Sequence, residues 1–214
     1  MSDLKNQIIA TLVDAVDETI VWSPNEPQYF GPTTRSLAIY SDIDTTTALL
    51  INSQLKHLSY IDNENPITLF INTEGGSLTD ALSIYDTITN IESPVICVAT
   101  GLCASAGLLI LAAGDYKVAT KNTVFYYHQP VFTQNTSISS KKDMESLNGF
   151  YDYCQSTVDK ILKETMNISD RSWKKNFDSS TGFYFDSQKA IKFNLIDKIV
   201  ESNKLDFEIS DTEE

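Results

Sequence analysis

The chain has 214 residues, of which 42% are hydrophobic, and its 29 acidic and 16 basic side chains give a formal net charge of −13. This length and hydrophobic content suffice for one core, so we expect one main domain. The negative charge argues against nucleic acid and anionic membranes as partners, because both are bound by basic patches. No apolar run is long enough to cross a membrane and no signal peptide is evident, so we expect a cytosolic protein.

Three cysteines are scattered along the chain, at Cys97, Cys103 and Cys154. Their odd number and their lack of metal-ligand spacing predict reduced core thiols and no metal site. Cys103 lies two residues before Ser105, so we expect sensitivity to oxidants near that serine. A GxxxxGK[ST] motif is absent, so the chain itself is not expected to bind ATP, and no cofactor is predicted.

The composition divides the chain into three parts. Residues 1–34 contain a short amphipathic helix and a stretch rich in proline and turn-forming residues, and residues 201–214 form an acidic tail. Residues 35–200 hold the apolar segments of the main domain. These segments begin with a strand at Leu37–Tyr40 and a helix capped by Asp44.

A strand, a helix and a second strand follow one another in the next part of the chain. Ile67–Asn72 is an apolar strand that ends in a Gly-Gly turn, and a helix is predicted from Leu78 to about Ile91. The next strand, Val95–Thr100, is expected to end at Gly101. This order predicts an α/β fold with a mostly parallel sheet, in which a site forms at the carboxyl ends of the strands.

The stretch after this strand places Ser105 directly before a helix that is predicted to run from Ala106 to Ala113. The backbone N–H of Ala106 is free at the helix start and could face an oxyanion on a substrate attacked by Ser105. Because it has no Cβ, Gly76 can offer a second donor. His128 follows the next strand, so it can lie beside Ser105 as a base.

Spacing alone leaves a second interpretation of these residues open. A turn of the Ala-Ser-Ala type and a single histidine also occur as ordinary packing. The other histidine, His57, lies on the helix after Asp44 with no nucleophile near it in sequence, and it is predicted at the surface.

A long helix is predicted from about residue 139 to residue 165. Its apolar residues alternate steps of three and four, as in Met144, Leu147, Tyr151, Cys154, Val158, Ile161 and Thr165. Such a seam packs against other protein and is not typical of a cofactor site. It can fold back on the core of the same chain or contact a second copy.

Three blocks of the sequence, INTEGGSLTDALSIYDTI, GLCASAG and YYHQP, resemble the signature blocks of the Clp protease proteolytic subunit family. They stand in the order of that family and close to its spacing, between about residues 36 and 200. The resemblance implies that Ser105 is the nucleophile, that His128 is the general base, and that Gly76 and Ala106 are the oxyanion donors. It also implies the crotonase-like spiral of ββα units.

The same resemblance implies how the protein assembles and what it acts on. Subunits of this family form stacked rings around a closed chamber, the long helix being the handle between the two rings. The expected partners are further copies of the chain, unfolded polypeptide substrates and an AAA+ ATP-driven unfoldase. Extended polypeptide would bind by strand addition near Gly76 and the segment at Val131.

The sequence departs from the family at the third member of the triad. Gly182 stands where the family has an aspartate. Asp178, four residues earlier, is the first substitute, because a loop that contains Gly182 could bring it toward His128. Asp186 is predicted instead to cap the helix that follows it.

The sequence also admits two alternatives to a serine endopeptidase. A crotonase-type acyl-CoA enzyme would share the fold and the paired backbone donors, but it would not need Ser105 with His128. A catalytically weak or inactive ring subunit with a structural or docking role is the other, and the missing aspartate at Gly182 favours it.

Overall fold

The computed structural model describes residues 34–130, 140–177 and 182–200. The predicted N-terminal helix, the segment that begins at Val131 and the acidic tail lie outside the described residues. The strands are β1 Ser36–Ile39, β2 Ile67–Thr73, β3 Val95–Ala104, β4 Tyr116–Thr120, β5 Val124–Tyr127, β6 Phe183–Asp186 and β7 Lys198–Val200. The helices are α1 Thr45–Ile61, α2 Leu78–Asn90, α3 Gly107–Ala113, α4 Lys141–Met166, α5 Asp170–Asn176 and α6 Ser187–Lys192.

One sheet organises these elements, with strand order β1-β2-β3-β4-β7 and with all four of these pairings parallel. Strand β5 lies off this path, parallel to β3 and antiparallel to β6. Each parallel pairing needs a crossover, and the helices that supply the crossovers cover the sheet. The α/β fold predicted from the strand and helix order is therefore confirmed.

Strand β3 changes partners along its length. Its first half pairs with β4, whereas Leu102–Ala104 pairs with β5. Gly101 stands between the two halves with a φ of 57°, and the Oδ1 atom of Asn72 accepts a hydrogen bond of 3.0 Å from the N–H of Leu102. Gly101 lies in a β-bulge, at which the register of β3 against β2 shifts, and the strand continues to Ala104. The prediction that Gly101 ends the strand was therefore wrong, because the bulge bends the strand and does not terminate it.

Side-chain caps begin several of the helices where the sequence predicts them. The Oδ1 atom of Asp44 accepts from the N–H of Thr47 at 2.7 Å at the start of α1, and Asp186 accepts from Lys189 at 2.8 Å at the start of α6. The assignment of Asp186 as a helix cap is confirmed. Helices α1 and α2 then direct their apolar faces to the sheet, and Leu55, like much of this core, is fully buried.

Helix α4 has two different halves. Its first turns are exposed, and Met144 retains 43% of its surface. From Cys154 onward one face is buried in the core of the same chain, at Cys154, Val158, Leu162 and Met166. The second half of the predicted seam therefore folds back on its own domain. Within the described ranges, no helix combines the length and the apolar character that a membrane span requires.

Candidate active site

Ser105 and Ala106 connect β3 to α3, so Ser105 lies at the strand-to-helix junction that the sequence predicts, with the helix starting at Gly107, one residue later than predicted. The φ of Ser105, 53°, is in the left-handed region, which residues with a side chain rarely adopt. Two backbone hydrogen bonds hold it there: its N–H donates to the carbonyl of Tyr126 at 2.8 Å, and its carbonyl accepts from the N–H of Leu108 at 3.0 Å. Strained residues of this kind concentrate at functional sites, where the surrounding structure enforces them.

Two glycines let the turn after β2 approach Ser105. A Cβ on Gly75 would lie 2.7 Å from the Cβ of Ser105 and 3.1 Å from its Oγ. A Cβ on Gly76 would overlap the carbonyl oxygen of Ile43. Both glycines also have positive φ, 109° and 146°. Neither position can therefore hold another residue without moving the turn.

Some of the backbone N–H groups around Ser105 already donate a hydrogen bond within the protein, and others do not. The N–H of Gly75 donates to the Oγ1 atom of Thr73 at 3.0 Å. Ile43 bonds to the carbonyl of Gly75 and to the N–H of Ser77, so the N–H of Gly76 between them faces the opposite side. The N–H groups of Gly76 and Ala106 make no hydrogen bond to the described residues. Two free donors thus flank the serine.

His128 follows β5 directly, and β5 pairs with the end of β3 that leads to Ser105. Its Nδ1 atom lies 2.6 Å from the carbonyl oxygen of Gln129. The part of the chain that the structure describes shows no hydrogen bond between the His128 ring and the hydroxyl of Ser105. Both residues nevertheless line the same cleft, so the strand pairing brings the predicted nucleophile and base together.

This cleft has a volume of about 450 Å³. It is lined by the four residues that the sequence assigns to the site besides the acid, namely Gly76, Ser105, Ala106 and His128. Its far wall is apolar and comes from α3 and α4, with Leu109, Phe150, Cys154, Val158 and Leu162. The second half of the long helix is therefore a wall of the site, which its seam pattern alone did not indicate.

The end of the Tyr126 side chain crowds Gly182, the position at which the resemblance leads one to expect the triad aspartate. The antiparallel register that pairs Tyr127 with Phe183 places Gly182 opposite His128 one step further along. A Cβ on Gly182 would lie 2.5 Å from the hydroxyl oxygen of Tyr126 and 2.6 Å from the carbonyl oxygen of Tyr127. Sequence reasoning missed Tyr126, although its place two residues before His128 puts it on the same face of β5.

Asp178, the predicted substitute for the acid, lies outside the described residues, and its role stays a prediction. Cys103 is fully buried, and burial raises the pKa of its thiol. Because the thiolate is the species that oxidants attack, the expected oxidant sensitivity at Cys103 does not fit its surroundings. His57 is exposed on α1, as predicted.

A mostly parallel sheet with covering helices, and a site at the junction of β3 and α3, are features that the crotonase-like class of α/β proteins has. The profile of the Clp protease family matches residues 32–203. The chain belongs to the Clp protease family.

Individual relatives agree with the family match. The ATP-dependent Clp protease proteolytic subunit 3 of Synechococcus sp. (strain CC9605) is 30% identical over 174 residues, which cover 78% of this chain and 82% of the relative. The protein of the same name from Parasynechococcus marenigrum (strain WH8102) is 31% identical over 174 residues with the same coverage. A solved structure of a mutant ClpP1 from Listeria monocytogenes superposes with a TM-score of 0.71 at 26% identity, covering 80% of this chain and 94% of that one.

These findings confirm the fold and the family predicted from the three sequence blocks. The chain is a ClpP-like protease subunit with the crotonase-like fold. The same findings do not favour the two alternatives, a crotonase-type acyl-CoA enzyme and a catalytically weak or inactive ring subunit.

Proposed function

We propose that the chain is a cytoplasmic serine endopeptidase that cleaves unfolded polypeptides through an acyl-enzyme on Ser105. The Oγ atom of Ser105 attacks the peptide carbonyl, and the Nε2 atom of His128 takes the hydroxyl proton and passes it to the leaving amine. Water, activated by the same ring, then releases the acyl group. The observation that carries this proposal is the shared cleft of Ser105 and His128, with Ser105 held at a φ of 53°.

The oxyanion of each tetrahedral intermediate needs preorganised donors. The free N–H groups of Gly76 and Ala106, on either side of Ser105, supply them in this proposal. The N–H of Gly75 is not available, because it is already bonded to Thr73. Donors of this kind strengthen in the transition state, and each is worth on the order of 10²–10³ in rate.

The resting cleft shows no hydrogen bond between Ser105 and His128. Hydrogen bonds between a nucleophile and its base often form only when substrate fills the site. The lack of such a bond here is therefore compatible with the proposed roles of Ser105 and His128. The Nε2 atom of His128 is the one left to face the serine, since Nδ1 lies against the carbonyl of Gln129.

The walls of the cleft favour an apolar side chain next to the scissile bond. Leu109, Val158 and Leu162 line it, and they offer no charge to a polar substrate group. An extended polypeptide would lie along the turn at Gly76, on the side that Ile43 leaves open. The second edge predicted for strand addition, at Val131, lies outside the described residues.

Covalent labelling tests the nucleophile directly. We expect a fluorophosphonate to label the intact protein at Ser105, located by peptide mass spectrometry, and to leave Ser105→Ala unlabelled. Ser105→Ala should also lose hydrolysis of an unfolded substrate while melting close to the parent protein, since one hydroxyl is removed. Turnover that persists in Ser105→Ala would place the nucleophile elsewhere.

We further propose that the subunit forms stacked rings and receives substrate from an AAA+ ATP-driven unfoldase. The family provides this expectation, and the first half of α4 provides a surface for it. Its exposed apolar residues include Met144 and Tyr153, of which 43% and 66% of the surface is exposed. In an isolated subunit these side chains would stay in water.

A charge on the exposed half of α4 tests this assembly. Leu147→Glu should give smaller particles in sedimentation without loss of the fold, because a contact between subunits would have to bury the carboxylate. Ser146→Glu is the matched control, since it adds the same charge at an exposed position on another face of the helix. Val158 is not suitable for this purpose, because it is buried within the subunit. Large particles in both variants would contradict the proposed role of this face.

A further inference from the structure

His128 lines the cleft without a carboxylate partner among the described residues. Gly182 has no side chain to offer, and no carboxylate among the described residues bonds to either ring nitrogen of His128. Among the described residues, a group other than a carboxylate would therefore have to decide which nitrogen of His128 carries the proton.

A triad carboxylate performs two separable tasks. It holds the imidazole in the tautomer with the proton on Nδ1, so that Nε2 can accept, and it stabilises the imidazolium that forms. Replacing that carboxylate by an amide costs about 10⁴ in turnover in a related mechanism, because the wrong tautomer is then favoured. The first task requires only a hydrogen-bond acceptor at Nδ1.

The main-chain carbonyl of Gln129 is such an acceptor, at 2.6 Å from Nδ1 of His128. A carbonyl oxygen cannot donate, so in this hydrogen bond Nδ1 carries the proton and Nε2 keeps a free lone pair. Pro130 follows directly and restricts Gln129 to extended backbone conformations, which limits the directions that its carbonyl can take.

The ring of Tyr126 occupies the space beside this histidine. It lies 5.4 Å from the His128 ring, centroid to centroid, and it is stacked at 4.2 Å on the ring of Tyr184. Its hydroxyl oxygen lies 2.5 Å from the position that a Cβ of residue 182 would take, which is too close for both atoms. An aspartate at Gly182 and the present position of Tyr126 therefore exclude each other.

We infer that the Gln129 carbonyl and the Tyr126 ring together replace the triad acid, the carbonyl by fixing the tautomer of His128 and the ring by holding its plane. This inference rests on the proposed roles of Ser105 and His128. Tyr126 is a positioning residue, because it acts on the base and does not touch the reacting atoms. The site is then a serine–histidine dyad completed by a main-chain carbonyl.

The tautomer can be read without any turnover. The full chain is labelled with ¹⁵N-histidine, sedimented and studied by solid-state ¹⁵N NMR at a pH of about 9, where an ordinary imidazole is neutral. His57→Gln removes the only other histidine, which is exposed on α1. We expect Nδ1 to carry the proton, opposite to the Nε2 form that an imidazole in water prefers. A dominant Nε2 form would overturn the inference, and active protein with that form would still leave the assignment of Ser105 standing.

Variants then separate the two parts of the inference. Tyr126→Ala should give a mixture of tautomers and lower kcat/KM by roughly 10²-fold, the cost of a misplaced catalytic group, whereas Tyr126→Phe keeps the ring and should recover both. Unchanged spectra in Tyr126→Ala would overturn the role of the ring. Should Tyr126→Ala not fold, Tyr126→Leu fills similar space without a flat face and serves instead.

Asp178 provides the remaining comparison. If the carbonyl of Gln129 holds the ring, Asp178→Asn keeps the proton on Nδ1. Loss of that signal in Asp178→Asn would show that a carboxylate orients His128, and the inference would fail. The same spectra of Ser105→Ala, which cannot turn over, should match the parent, so that inactivity and a wrong tautomer are never confused.

Discussion

The two sides of the cleft are held in different ways. On the serine side, the backbone determines the geometry of the site. Gly75, Gly76 and Ser105 have positive φ angles, and the hydrogen bonds leave two N–H groups free. On the histidine side, aromatic packing holds the residues: the ring of Tyr126 contacts the ring of His128 and stacks on the ring of Tyr184. The sequence blocks on both sides, GLCASAG with Ser105 and YYHQP with His128, resemble those of the family, and the departure lies opposite His128, at Gly182.

This difference teaches where such a site can vary. A backbone donor can be supplied only by a turn of one shape, so a substitution there removes the function of the turn. The space beside a histidine can be filled by an acid or by a ring, provided that the imidazole keeps its tautomer and its plane. We therefore expect substitutions in the glycine turn to lower the rate, and substitutions on the histidine side to lower the stability as well as to disturb the imidazole.

The largest effect should follow from Gly76→Ala. The new Cβ overlaps the carbonyl oxygen of Ile43, so the turn must move and its N–H leaves the cleft. We expect a loss on the order of 10²–10³ in kcat with peptide substrate. Gly149→Ala on α4 is the control, because nothing lies within 4 Å of its added Cβ. Normal turnover in Gly76→Ala would remove this residue from the oxyanion site.

A smaller effect, mainly on stability, is expected from Gly182→Ala. The added Cβ meets the Tyr126 hydroxyl at 2.5 Å and the rigid carbonyl of Tyr127 at 2.6 Å, so β5 and β6 must separate locally. Overpacking of this kind costs about 1–3 kcal/mol. Thermal unfolding should show a melting temperature lower by several degrees, with Gly149→Ala again unaffected or slightly more stable. An unchanged melting temperature would mean that the histidine side is looser than its packing indicates.

The smallest effect concerns Asp159, which accepts hydrogen bonds from Gln155 at 2.6 Å and from the hydroxyl of Tyr127 at 3.4 Å. Burial raises the pKa of the Asp159 carboxyl above its ordinary value. The protonated form is therefore favoured by folding, and this contribution to stability is full below the ordinary carboxyl pKa and lost as the pH rises through the raised one.

Asp159→Asn imitates the protonated form and keeps an acceptor for Tyr127. It should be at least as stable as the parent at pH 7, by urea unfolding, and the difference should narrow as the pH falls toward the ordinary carboxyl range, near about 4. Asp152→Asn, at an exposed position on the same helix, is the control. A clear loss of stability in Asp159→Asn at pH 7 would show that the charge itself is needed beside Tyr127.

Much of the fold was predictable because its signals are local. The apolar runs of β2 and β3, the cap at Asp44 and the Gly-Gly turn each act within a few residues, and the structure has each of them close to where the sequence predicts. The continuation of β3 past Gly101 was not predictable, since it depends on the side chain of Asn72 in the neighbouring strand.

In the candidate site, too, the features with local signals were predictable and those that depend on distant residues were not. Ser105, His128 and the glycine turn were predictable from short motifs, but the occupant of the third position was not. The contact of Tyr126 with Gly182 joins residues 56 positions apart, and it depends on the antiparallel register of β5 and β6. Composition does not encode such a register, because alternation constrains which face a residue takes and not which residue it meets.

The backbone of Ser105 also limits what evolution can do with this chain. A φ of 53° disfavours β-branched residues strongly, so threonine cannot take over as the nucleophile, although cysteine could. Glycine would relieve the strain altogether. Serine is thus kept here against the preference of its own main chain, and a lineage released from selection for proteolysis would gain stability by exchanging it for glycine.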